Sequence, residues 1–202
     1  DTAVEATRIG AFGYLEKPIP LQKLLSTVSK ALRGGQNKQQ LALSLGSMGK
    51  GALIADLRKK LEQVANLKTP LLLMGEPGVG AEICARFMHR PNTPWVEPET
   101  LELARDGLLF LKDIGEINKL AQKGLLLILS KLDKYNVRLV CATSQPLAEL
   151  TAQGAYHPKL FEVLSNLSIG IPPLRAHRED IPELANQILS RFVESGEAAS
   201  AL

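Results

Sequence analysis

One stretch constrains the fold of this chain more than any other: TPLLLMGEPGVGAEICARFMHR, residues 69–90. A short apolar run leads directly into glycines at 75, 78 and 80, and apolar residues then recur at helical spacing. An apolar run of that length, bounded by turn residues, predicts a strand buried on both faces. The glycines predict a tight turn in which successive backbone N–H groups can converge on an anion. The spacing Gly75 to Gly80 follows the phosphate-loop pattern G-x-x-x-x-G-K-S/T as far as its lysine, where this chain has Ala81. On spacing alone, a structural turn and a nucleotide loop both stand. The missing lysine weighs toward the structural turn.

Around this unit the chain alternates strands with helices. ALIADLRKKLEQVANL predicts an amphipathic helix before it. GLLFLKDIGEI then predicts a second buried strand, LAQKGLLLILSKL a helix, NVRLVCATSQ a third strand and IGIPPL a fourth short one. A closing helix is expected over IPELANQILSRF. Such alternation implies a mostly parallel sheet covered on both faces, an α/β fold. Before residue 34, TAVEATRIGA, FGYLEKP and LQKLLSTVSKAL have the pattern of the end of another α/β unit, and RGGQNKQQ has the composition of a linker. The expected organisation is therefore a partial unit over 1–33, a linker over 34–45, the main domain over 46–192 and a small-residue tail over 193–202. The opening lacks an initiator Met, and the chain is expected to be part of a longer protein.

The second buried strand bears on the same site. A nucleotide-hydrolysing domain wants an apolar strand ending in two carboxylates, one for a metal and one to activate water. LLFLKDIGE ends in Lys112 and Asp113 instead. Lys112 is expected to form a structural ion pair with Asp113, Glu82 or Glu116, in preference to replacing the absent loop lysine as a phosphate contact.

With both strands in view, the chain resembles the central AAA+ domain of sigma-54-dependent response regulators of the NtrC/NtrX family, preceded by the end of a receiver domain. The family's GExGTGKE is matched by GEPGVGAE, its LElAdgGTLFLDEIGE by LELARDGLLFLKDIGE, its RLiaATn by RLVCATS, and its iPPLReRxeDIp by IPPLRAHREDIP. The resemblance implies a three-layer α/β/α, P-loop-type parallel sheet, with a flavodoxin-like receiver fragment in front. It also implies nucleotide contacts from Gly75, Glu76, Pro77, Gly78, Val79, Gly80, Ala81 and Glu82.

The departures from the family pattern fall on function. Ala81 stands at the phosphate-contacting lysine, Lys112 at the metal-binding Asp, Asp113 at its neighbouring Glu, and Ser144 at the sensor Asn. His157, expected at the surface, and Val163 occupy the two arginine-finger positions. Residues 90–106 replace a much longer family segment that carries the GAFTGA loop gripping sigma-54. These losses imply no catalytic residue, no bound metal, ATP or ADP held weakly at most, and a member of an ATPase family that does not hydrolyse. In the receiver-like stretch the resemblance makes Lys17 the phosphoryl-contacting lysine and Tyr14 the switch aromatic.

The expected role is transcription regulation within a two-component system. RNA polymerase with its sigma factor is the expected partner of the full-length protein, and self-association through either unit is expected. An active sigma-54 activator and a nucleotide sensor with a rebuilt pocket are the alternatives. The net charge of +3 comes without any run of like charges and is too weak a signal to argue for a nucleic-acid surface. The resemblance implies that DNA binding belongs to a C-terminal helix-turn-helix module, which these residues do not contain, so this stretch is not expected to bind DNA. No apolar run is long enough to span a membrane. Cys84 and Cys141, both within apolar stretches, are expected to be reduced core thiols of a cytoplasmic protein.

Overall fold

The computed structural model describes residues 44–97 and 101–194. Tyr14 and Lys17, with the whole receiver-like stretch, lie outside the described residues. A compact unit begins at Ser44, and Leu45 is already buried.

The apolar strands form because every residue in them has a hydrophobic face to meet on both sides of the sheet. Strand β1 (Leu71–Met74) sends Leu71 and Leu73 to one core and Leu72 to the other. In β3 (Leu108–Leu111), Leu108 and Phe110 oppose Leu109, and in β4 (Arg138–Thr143), Val140 and Ala142 oppose Leu139 and Cys141. This alternation is the two-residue period of a pleated strand, written here entirely in apolar residues. With β2 (Trp95–Val96) and β5 (Ser168–Gly170), the strands make one five-stranded sheet in the order β2-β3-β4-β1-β5. Every pairing is parallel.

On one face lie helices α1 (Ala52–Val64) and α2 (Ala81–Phe87). Helix α1 buries Ile54, Leu57 and Leu61 at the expected helical spacing. Helices α3 (Lys119–Leu129), α4 (Leu132–Tyr135), α5 (Leu147–Ala152) and α6 (Pro158–Ser165) supply the other face through Leu125, Leu132, Leu147, Leu160 and Leu164. Helix α7 (Ile181–Glu194) closes the described residues.

Several expectations need correction. The Pro-rich connection after α2 holds a strand, β2, which the prolines around it hide. Gly107 makes that strand possible: a Cβ there would sit 2.2 Å from the Pro94 carbonyl oxygen, which instead accepts from Leu108 N at 2.9 Å. The helix expected to run on through Leu132 stops at Leu129, where Ser130 turns its hydroxyl back to donate to Leu127 O. The fourth strand ends at Gly170, before the prolines that cannot donate to a ladder. Helix α7 runs to Glu194, past the end of the helix expected over IPELANQILSRF.

Candidate functional site

The sheet order turns at β1, whose neighbours are β4 and β5 although the chain leaves it for β2 at the far edge. In parallel α/β sheets the crevice beyond the carboxyl ends of the strands at such a point is the usual ligand site. Here it is formed by the loop after β1 and the ends of β3 and β4. The resulting cleft has a volume of about 380 Å³ and is lined by residues 75–82, Phe110, Lys112, Asp113 and residues 142–144.

The glycine loop has the turn its sequence requires. Gly78 and Gly80 have φ of +81° and +95°, in the left-handed region that favours glycine. A Cβ on Gly75 would lie 2.7 Å from Val79 Cγ2, so glycine at 75 is what lets Val79 fold beneath the loop. Gly75 N donates to Thr143 O at 3.1 Å and ties the loop to the end of β4. Glu76 receives a two-pronged hydrogen bond from Arg175, with Nη1 at 2.7 Å and Nη2 at 2.5 Å. That bond holds the Glu76 carboxyl below its usual range. Arg175 was missed as a site residue, although it lies in the quoted IPPLRAHREDIP and its charge opposite the loop's only outward acid was the available signal.

Lys112 settles on Glu82. Its Nζ lies 2.8 Å from Glu82 Oε2 and 3.6 Å from Glu97 Oε1. Of the three expected partners only Glu82 pairs with it, and Glu97 was not foreseen. Glu82 also accepts from Arg86 Nε at 3.0 Å and Nη2 at 2.8 Å, and the Arg86 guanidinium stacks 4.4 Å above the Trp95 ring. Burial pushes the Glu82 carboxyl up, but the hydrogen bonds from Lys112 and Arg86 outweigh it and the net shift is downward. The same bond from Glu82 raises Lys112.

Asp113 faces the cleft with a φ of +52° and takes no part in the Lys112 pair. Ser144 lies exposed on the cleft wall beside Thr143, whose hydroxyl accepts from Gln145 N at 3.0 Å. His157, expected at the surface, has its side chain partly covered. It precedes α6, is half-buried, donates its backbone N–H to Gln122 Oε1 at 2.9 Å and encloses Nδ1 without a partner. Val163 is half-buried on α6, and neither residue lines the cleft. Among the described residues no group of His, Cys, Asp and Glu could hold a metal ion. A lysine also stands where the resemblance puts a metal ligand.

A parallel sheet in this order, with a glycine loop between the interior strand β1 and a helix, defines an AAA+ domain of the P-loop NTPase class. The profile of the Sigma-54 interaction domain matches residues 48–174, more than half of the chain, and the chain belongs to that family. The transcriptional regulatory protein ZraR of Salmonella typhimurium is 30% identical over 96% of this chain and 55% of its own length. The regulatory protein AtoC of Escherichia coli is 30% identical over 95% of this chain and 53% of its own. Thus the chain spans about half the length of these relatives. The solved structure of NtrX from Brucella abortus in complex with ATP is 28% identical, with a TM-score of 0.67, and covers 96% of this chain and 52% of its own. The same protein in complex with ADP gives 27% identity, a TM-score of 0.69 and coverage of 96% and 55%. The family shown is thus that of the Sigma-54 interaction domain, and the relatives matched here are themselves regulatory proteins. Among the described residues no helix is long and apolar enough to cross a membrane.

Proposed function

We propose that this chain is the central module of a sigma-54-type transcription regulator that has given up ATP hydrolysis and keeps its cleft as a weak, metal-independent nucleotide site. The observation that carries this reading is the Lys112–Glu82 ion pair at 2.8 Å. It puts a paired cation where hydrolysis would need a metal ligand, while the loop lysine is Ala81. Contacts that stabilise developing charge are each worth roughly 10²–10⁵ in rate. With lysine, metal ligand and fingers all replaced, little remains to lower the barrier. The short connection at 90–106 leaves no room for the loop by which the family engages sigma-54, so any role in transcription would run through assembly or interdomain signalling.

Weak nucleotide binding is supported by the loop geometry and by the cleft, whose 380 Å³ falls within the roughly 300–1,000 Å³ of ordinary ligand pockets. NtrX of Brucella abortus, by its structures, binds ATP and ADP. A second reading, a nucleotide sensor with a rebuilt pocket, is favoured by Lys112 itself, which lines the cleft and could exchange Glu82 for a phosphate.

Calorimetric titration with ATP and ADP, each with Mg²⁺ and with a chelator, tests both readings. Weak binding that ignores Mg²⁺, with no hydrolysis, is the expected result. Binding tighter than about 10 µM, roughly −7 kcal/mol, and still indifferent to metal would favour the sensor. Hydrolysis at a rate ordinary for the class would overturn the proposal.

A further inference from the structure

A second pocket lies at the opposite end of the strands from the glycine loop. It has a volume of about 70 Å³ and is walled by the segment after α1, by the segment after α2, and by the starts of β3 and β4. Three cations line it: Lys68, Arg90 and Arg138. Among the described residues none of the three makes an ion pair. The wall also holds two acids, Asp106, which accepts from Asn136 Nδ2 at 2.8 Å, and Asp133, which is exposed, so the three cations outnumber them by one.

Arg138 is held in place by structure. Its backbone N donates to Gly107 O at 2.9 Å, and its Nη2 donates to Val64 O at 3.1 Å, at the carboxyl end of α1. Its Nε is enclosed without any partner. An enclosed donor on a charged group is costly unless something answers it. Burial and the neighbouring Arg90 pull the Arg138 guanidinium down to about 10.

We propose that this pocket is a second anion site, built by Lys68, Arg90 and Arg138 to take one phosphate group, either free inorganic phosphate or the terminal group of a small phosphate ester. Two guanidinium groups provide paired donors of the geometry that phosphate oxygens favour, with a lysine as a point charge. The volume limits the ligand. The small space, about 70 Å³, is why the ligand proposed is a single phosphate group and not a nucleoside. The site shares no residue with the glycine-loop cleft, and it stands whether or not that cleft binds nucleotide.

The test is titration of the full chain with inorganic phosphate and, separately, with glycerol 3-phosphate, followed by calorimetry and by ³¹P line broadening. Arg90→Gln and Lys68→Gln are the deciding variants, because both side chains are exposed and their loss leaves the core intact. Arg138→Gln could unfold the start of β4 and is not needed. Saturable binding that weakens at least tenfold in Arg90→Gln, weakens in Lys68→Gln and is unchanged in Lys112→Ala is expected. Binding of both probes assigns the phosphate group alone; binding of one assigns the free ion or the ester. Absence of saturable binding, indifference to Arg90→Gln, or loss in Lys112→Ala would overturn the proposal, the last by moving the ion to the glycine loop.

Discussion

Lys112 Nζ and Glu82 Oε2 lie 2.8 Å apart across the mouth of the glycine loop, so the cation at the end of β3 and the acid in the first turn of α2 neutralise each other. Any anion entering the loop must compete with Glu82 for that ammonium. Glu82→Gln keeps the cation and removes its rival. Pyrophosphate or nucleotide binding is expected to tighten by about tenfold, ~1.4 kcal/mol, and Lys112→Ala is expected to weaken it. Calorimetry at low and high salt checks both, since the gain must shrink as screening increases. Unchanged affinity in both variants would show that Lys112 does not meet the ligand.

The acid limb of stability follows from the same pair. Glu82 and Glu76 both sit below their usual value of 4.5 in the folded chain. The unfolded chain therefore binds more protons in that region, and stability rises with pH. The contribution is complete above about 4.5 and is lost as pH falls through the lowered folded values. Lys112 is raised above 10.5, so its share is complete below that value and disappears as pH rises through the raised one. Urea unfolding across the acid range is expected to show a shallower slope in Glu82→Gln than in the parent chain.

Two glycines provide opposite expectations from one substitution. At Gly107 a Cβ would meet the Pro94 carbonyl at 2.2 Å, so Gly107→Ala displaces β2 and destabilises the fold. At Gly124, inside α3, a Cβ meets nothing within 4 Å. Gly124→Ala is expected to stabilise by about 0.4–1 kcal/mol. Denaturant midpoints measure both, and a stabilised Gly107→Ala would contradict the strand assignment.

Both cysteines are expected to be silent toward thiol reagents in the native chain. Cys84 and Cys141 have no measurable exposure, and burial pushes the Cys84 thiol up to about 12 and Cys141 further. Maleimide labelling followed by mass spectrometry should find none modified without denaturant and both modified with it.

Asp180 is expected to be a fold-critical carboxylate although it is remote from the cleft. Its Oδ1 accepts from Lys50 N at 2.9 Å and Gly51 N at 2.8 Å, and Oδ2 faces His177 Nδ1 at 3.0 Å. Asp180→Ala leaves the backbone N–H groups of Lys50 and Gly51, which lead into α1, without these acceptors. A lower melting temperature and faster hydrogen exchange in the first turn of α1 are expected, with Asp180→Asn recovering part of the loss.

The sheet was legible because the strands are continuous apolar runs between turn residues, a pattern that survives without tertiary knowledge. Leu71–Leu73 and Leu139–Ala142 illustrate it. Helices α5 and α6 were not, since each is short and its apolar residues acquire meaning only against the sheet face they cover. The glycine loop was legible for the same local reason as the strands. Its partners were not: Arg175 reaches Glu76 across 99 positions and Glu97 reaches Lys112 from a strand hidden among prolines. The pairing of Lys112 was narrowed to three acids by charge alone, and only packing could choose Glu82.

The tie in front of α1 has a consequence in time. The two residues that lead into this helix, Lys50 and Gly51, are held by a carboxylate that lies 130 positions beyond Lys50, and β1 waits for β4 and β5 to lie beside it. A growing chain leaving the ribosome therefore carries an untied entry to its first helix, and a β1 without both its neighbours, until β5 and Asp180 have been made. Completion of the sheet around β1 is a late event. Before that event, the exposed edges of β1 are the part of the nascent chain most in need of shelter by a chaperone.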